Sequence, residues 1–161
     1  MSVCFARYEA FAREGHLPPE NVCPSLDQMA AFKSALDAGD WFVDFAIFGP
    51  YGARMVKRMR MVGKFFAPDG SLVPMEVYGP DCYWKWLDSA NVLQVLVIMF
   101  DVLDFGTWQE YMSKQATYNA MYGPAVWPLQ YQTECRARRE KLLRMNREAE
   151  TSLAALAKKR Q

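Results

Sequence analysis

The sequence predicts a mainly α (α+β) fold: one helical domain with a single β-hairpin and a long basic C-terminal helix. Three observations carry this. Apolar residues recur at helical spacing through most of the chain. A Pro68-Asp69-Gly70 turn lies between two apolar runs, the signature of a hairpin. The stretch from Pro124 to Lys158 reads as one final helix. With 161 residues, 52% of them apolar and 23% charged, the chain is long enough for one sizeable core and wrong for disorder.

Taken in order, residues 1–24 form an irregular lead, with a short helix around Val3–Arg13. "GHLPPENVCP" then breaks any regular element, because Pro18, Pro19 and Pro24 remove donors and restrict their neighbours. Ser25 and Gln28 have the spacing of a capping box, opening a helix in which Leu26, Met29, Ala30 and Leu36 recur. Gly39 closes it. The run "WFVDFAIF", Trp41–Phe48, is rich in aromatic and β-branched residues and reads as an extended or short strand segment; Asp40 as a helix cap is the other reading.

The stretch Phe48–Phe66 holds five cations and no anion. Met55, Met59 and Val62 fall at i, i+4 and i+7, which predicts a short basic amphipathic helix ending near Gly63. The hairpin follows, near residues 63–78, and Pro74 demotes its second strand to an edge. Asp81 is expected to cap a long apolar helix, about Tyr83–Leu103, and Thr107 another, about Trp108–Tyr122. An aromatic-Gly-Pro triplet recurs at Phe48, Tyr78 and Tyr122, each time before a predicted helix; the unequal spacings mark punctuation rather than a repeat.

The organisation is therefore a lead (1–24), a helical core with the hairpin (25–133) and a basic helical extension (134–161). Tyr83, Trp84, Trp86, Leu93, Leu96, Ile98 and Phe100 are the expected centre of the core, with Trp108, Tyr111 and Trp127. Met55 and Met59 are expected to cover it. In the last helix a heptad with Cys135, Leu142, Ala149 and Leu156 at one core position places Tyr131, Arg138, Met145 and Ser152 at the other. Half of that second set is polar, a weak coiled-coil signal. The first half of this helix is expected to pack on its own domain, and self-association stays open.

Several function classes find no support in the residues. Cys4, Cys23, Cys82 and Cys135 are far apart with no CxxC pair, and His16 is the sole histidine, so zinc lacks its usual ligand pairs. The cysteines read as free, mostly buried thiols of a reducing, intracellular compartment, with cytoplasm and nucleus not distinguished. The N-terminus lacks the apolar run of a secretory signal, and Val92–Leu103 is too short to span a bilayer. There is no phosphate-binding loop ending in Gly-Lys-Ser/Thr, no GxGxxG and no nucleophile beside a base. Asp101 and Asp104 are close in sequence, but they read as the solvated end of an apolar helix. The expectation is a protein that is not an enzyme and carries no metal or cofactor.

Charge is where the sequence speaks most clearly. The net value of +1 conceals a division. Residues 1–50 hold three Lys/Arg against seven Asp/Glu, and residues 65–133 hold two against seven. Residues 51–64 hold five cations alone, and residues 134–161 hold nine against four. Two cationic segments thus sit within an acidic body. Arg54, Lys57, Arg58, Arg60 and Lys64 would form one phosphate track, and Arg136, Arg138, Arg139, Lys141, Arg144 and Arg147 another. Arginine dominates both, and its planar fork suits phosphate. Such tracks bind nucleic acid through counterion release, without sequence readout. Tyr51, Phe65, Phe66 and Tyr131 lie nearby as candidate stacking platforms. RNA or DNA is the expected partner. The plain alternative is that these cations are solvated or pair with the acidic segments. A second functional reading is a structural subunit of a larger assembly, binding a protein partner or a second copy through aromatic and basic surfaces.

Three stretches, "DFAIFGPYGARMVKRMRMVGKFF", "SLVPMEVYGPDCYWKWLDSANVL" and "YNAMYGPAVWPLQYQTECRARREKLLR", span about Asp44–Arg144. Within the last, Tyr122, Gly123, Pro124 and Trp127 lead to Tyr131, Gln132, Arg136 and Arg138. Together these resemble an uncharacterised multi-copy protein family of dinoflagellate genomes, often found beside or inside retroelement-like polyproteins. The resemblance implies a helical packaging or assembly protein rather than any particular chemistry. The chain lacks the Cys-His zinc knuckle common in packaging proteins.

Overall fold

The computed structural model describes residues 2–12, 16–40, 42–50 and 58–140. Among these there are five α-helices and one antiparallel hairpin, so the chain is mainly α with an α+β element. The helices are α1 (Ser2–Ala12), α2 (Leu26–Asp37), α3 (Tyr83–Phe100), α4 (Phe105–Tyr122) and α5 (residues 127–140). The strands are β1 (Arg60–Phe66) and β2 (Leu72–Tyr78).

The 18-residue α3 is the axis of the domain. It is apolar nearly all round, the pattern of a helix enclosed by neighbours. Trp86, Ala90, Val92, Leu96 and Met99 are fully buried along it. Trp84, by contrast, is 68% exposed, so it leaves the expected core, and Ile98 and Phe100 are only half-buried. Its N-cap is Cys82, without a side-chain cap, rather than Asp81; Asp81 instead takes an ion pair from Lys85 one turn on. The helix stops at Asp101, whose left-handed φ of 53° turns the chain. Asp104, not Thr107, then caps α4 by accepting the Thr107 N–H. Asp101, through its backbone, and Asp104, through its carboxylate, therefore both serve the turn between two helices.

The lead is not irregular throughout. Cys4, Phe5 and Tyr8 lie on one side of α1 and pack on the core, and α1 lies against α3. The capping box at Ser25 and Gln28 forms as expected, and α2 buries Met29 and Phe32. The described part of the aromatic run, Phe42–Phe48, is not a strand. The Asp44 carboxylate accepts the Ala46 N–H at 2.9 Å and folds the chain into a turn, a local bond that competes with any ladder.

The first cationic segment differs most from expectation. Residues 51–57 lie outside the described part, and with them Met55. From Arg60 onward the backbone is a strand, so the hairpin begins three residues earlier than predicted and no helix crosses Met59–Val62. Met61 and Gly63 turn inward while Arg60, Val62 and Lys64 turn outward: the segment follows a period of two. Met59 is half-buried; its amide donates to Ala46 and its carbonyl accepts from Gly79, and it does not join the core.

The final helix starts after one 3₁₀ turn, Pro124–Val126. It presents Trp127, Tyr131, Glu134 and Arg138 inward, all buried, at steps of four, three and four. The first part of the expected extension, residues 134–140, is therefore part of the domain wall. Phe45, Tyr83, Trp86, Tyr111, Trp127 and Tyr131 form one aromatic cluster, with neighbouring ring centroids 5.6–6.5 Å apart. Tyr83–Trp86 stack nearly in parallel, while Tyr83–Trp127 meet edge to face. Trp127 Nε1 donates to the Pro80 carbonyl at 2.7 Å, tying α5 to the end of the hairpin. Gly79 lets this happen: a Cβ there would stand 2.0 Å from the Tyr131 ring.

Candidate functional site

Where β2 ends, α5 passes and the Phe42–Asp44 segment crosses, the surface opens into a groove of about 470 Å³. Phe42, Asp44, Tyr78, Tyr131, Arg136 and Arg139 are among its walls, with Cys135 and Glu140. Tyr131 is fully enclosed beneath it. Burial pushes the Cys135 thiol up to about 11, helped by the Glu134 carboxylate, so the thiol is protonated at neutral pH.

The two cationic segments meet here. From the first, Arg58 lies with its guanidinium 4.1 Å from the Tyr78 ring centre and donates to Asp44 Oδ2 at 3.1 Å. From the second, Arg139 stacks on Phe42 at 4.2 Å. Arg136 is exposed and engages Glu140 at 2.7 Å, an i,i+4 pair on the helix surface. Guanidinium planes laid on aromatic faces keep their edges free for further hydrogen bonds. Ion pairs in water are weak and exchange readily for other anions.

Arg138 has a different role and leaves the predicted phosphate track. It is 8% exposed. Its Nε donates to Glu134 Oε1 at 2.7 Å, its Nη1 to the Val43 carbonyl, and its plane lies 4.1 Å from the Phe45 ring centre. Glu134 also accepts the Tyr111 hydroxyl. Burial, the largest single influence, would make the Arg138 guanidinium easier to deprotonate, but the Glu134 carboxylate with Tyr111 and Cys135 together outweigh it, and the pKa rises. Burial and the same carboxylate raise the Tyr111 phenol well above its ordinary range. This is a buried, fully partnered lock that fixes the irregular Phe42–Phe48 segment against α5.

The hairpin cations stand apart from the groove. Arg60 reaches Glu76 at 3.5 Å on the exposed face. Lys64 lies about 13 Å further along β1 at the usual rise of a strand and forms no ion pair among the described residues. Arg54, Lys57, Lys141, Arg144 and Arg147 lie outside the described residues, as does Tyr51. Of the other expected stacking rings, Phe65 is half-buried beside Gly63 and Phe66 is at the hairpin tip, so neither reaches the groove. Phe42 and Tyr78, which do line it, were not predicted. Each sat in a recognisable sequence context, an aromatic run and a Tyr-Gly-Pro triplet, but only the tertiary fold puts an arginine over each.

All four cysteines are free, and no three His, Cys, Asp or Glu side chains among the described residues converge as metal ligands. No helix among the described residues is long and apolar enough to cross a membrane. Comparisons with family models, curated proteins and solved structures give no match.

Proposed function

We propose that the chain is a non-enzymatic nucleic-acid-binding module of low sequence specificity, packaging-like and of retroelement origin as its family resemblance implies. The observation that carries the proposal is the convergence at one groove of Arg58 from the first cationic segment with Arg136 and Arg139 from the second, beside the rings of Phe42 and Tyr78. Cations from separate segments that share one surface add their charge. In sequence, Arg54 and Lys57 come just before Arg58, and Lys141, Arg144 and Arg147 follow Glu140. A single strand laid there would exchange the exposed Asp44 and Glu140 contacts for phosphate, and rest bases on exposed aromatic surface.

Fluorescence polarisation with a labelled single-stranded RNA and a labelled DNA duplex tests this. Affinity is expected to fall log-linearly with salt. Arg136→Glu with Arg139→Glu is expected to weaken binding and flatten that slope by about one to two units, whereas Lys64→Glu changes little. No binding to either probe at low salt would sink the proposal. A second reading, a structural subunit of a protein assembly, is favoured by one separate observation: large apolar side chains stand exposed on the hairpin.

A further inference from the structure

The two edges of the hairpin are chemically unequal. The bonds that flank its ladder, Ala67 N–H to the Ser71 carbonyl and Gly79 N–H to the Met59 carbonyl, fix which residues bond across it. Met61, Gly63 and Phe65 direct their backbone groups toward β2. By alternation, Arg60, Val62, Lys64 and Phe66 direct theirs outward, as do Leu72, Pro74, Glu76 and Tyr78 on the other side. Pro74 costs the ladder nothing there, because its missing N–H would have faced solvent. It also closes the β2 edge to any added strand. The β1 edge has no such block. Its outward amides and carbonyls have no partner among the described residues.

The same hairpin carries apolar surface on both faces. Val62 is 68% and Phe66 79% exposed on the outer face. On the inner face the base is covered, with Met61 and Val77 buried, but Val73 and Met75 toward the tip are exposed. An open edge flanked by exposed apolar side chains is an invitation to strand pairing.

We propose that a second copy of this chain occupies the β1 edge, pairing β1 with β1 antiparallel across a two-fold axis into a continuous four-stranded sheet. The register follows from the residues. Only even-numbered positions offer outward groups, and the symmetric alignments that engage at least three of the four put the axis on Val62, Gly63 or Lys64. Centring the axis on Val62 puts Arg60 opposite the partner's Lys64, a like-charge pair. Centring it on Lys64 puts that lysine opposite itself. Centring it on Gly63 avoids both. Arg60 then faces the partner's Phe66, a cation against a ring, and Lys64 faces the partner's Val62. All four outward residues of each copy bond, giving roughly eight interchain hydrogen bonds at two per pair. The two Gly63 residues meet at the axis without side chains. Because the strands run oppositely, the exposed tip of each hairpin lies beside the covered base of the other, and Phe65 comes to face the partner's Met61. The pairing rests on the edge and not on the groove, and it gives the assembly reading a particular partner.

Sedimentation velocity on the full chain, from low to high micromolar concentration, reads the association directly. The expected result is a concentration-dependent dimer. Val62→Pro removes one outward N–H from β1, as Pro74 lacks one on β2, and leaves the β1–β2 ladder whole. It is expected to raise the dimer dissociation constant about tenfold to a hundredfold, since the symmetric interface loses the bond twice, with the far-ultraviolet circular dichroism unchanged. Independently, Val62→Cys combined with Lys64→Cys is expected to cross-link the two chains under mild oxidation, with the 62–64 bond identified by peptide mapping, while Val62→Cys alone does not. A chain that stays monomeric throughout overturns the proposal. So does a dimer with unchanged affinity in a folded Val62→Pro variant, or one in which Val62→Cys alone cross-links. If Val62→Pro fails to fold, the cysteine pair decides. Nucleic-acid binding by monomeric Val62→Pro would show the groove and the edge to be separate.

Discussion

The two cationic segments carry the same net charge, five cations alone against nine cations less four anions, and meet opposite fates. In β1 the cations fall at even positions on a strand, and the period of two sends Arg60 and Lys64 out to solvent. In α5 the helical stripe of Trp127, Tyr131 and Glu134 continues to Arg138 and draws it into the core, leaving Arg136 and Arg139 outside. Charge alone does not decide whether an arginine binds a partner or builds the fold; the periodicity of the backbone that carries it does.

The largest expected effect breaks the buried side of this comparison. Arg138→Met leaves Glu134 buried without its cation and should cost about 3–5 kcal/mol in urea unfolding. Arg60→Ala should change stability by no more than about 0.5 kcal/mol, because its ion pair is exposed. Replacing Glu134 by Leu alongside Arg138→Met should recover much of the loss, since the uncompensated charge is gone. If the two single variants were equally mild, the buried lock would not be holding α5.

A smaller effect tests the joint between the two regions. Gly79→Ala drives a methyl into Tyr131, with the closest ring atom 2.0 Å away, so β2 or α5 must shift, at about 1–3 kcal/mol. Gly70→Ala, at the hairpin tip, has open space around it and only its φ of 82° to oppose it, so about 1 kcal/mol is expected. The ratio of the two thermal shifts separates close packing from backbone preference.

A further effect is one of pH. The fold holds Cys135 protonated up to about 11, against an ordinary value near 9, because burial and then Glu134 disfavour the thiolate. The unfolded chain loses that proton first. Stability from this group is therefore complete below about pH 9 and declines as pH rises toward 11. The denaturation midpoint, measured under reducing conditions, should drop across that window. Cys135→Ala should make the drop shallower; an unchanged slope would assign the effect to other groups such as Tyr111.

The sequence made some of these features legible and hid others for definite reasons. The capping box at Ser25, the Pro68-Asp69-Gly70 turn and the apolar α3 depend on neighbours in the chain, and all three were readable. Met59–Val62 misled because Met55, Met59 and Val62 fit a helical period while Met61 and Gly63 fit a strand. Pairing with β2 settled the choice, and pairing is not local. The Phe42–Phe48 run offered strand-forming residues, but among the described residues it joins no sheet, and the Asp44 side chain supplied a turn instead. At the groove, Arg136 and Arg139 were legible as exposed cations. The removal of Arg138 needed the stripe from Trp127 to be followed one turn further. Phe42 and Tyr78 became visible as platforms only once Arg139 and Arg58 were placed over them.

The bond from Arg138 to the Val43 carbonyl spans 95 residues, about twice the 47 between Trp127 and Pro80. Doubling a loop adds only about 0.6 kcal/mol of closure entropy, so the thermodynamic penalty of such reach is slight. Its consequence lies in time rather than in energy. The Phe42–Asp44 wall is fastened by a residue made long after it, and the opposing wall is that later helix itself. During synthesis, the groove therefore cannot close until the ribosome has passed Arg139, and a chain interrupted before that point carries its earlier cations without the surface that gathers them.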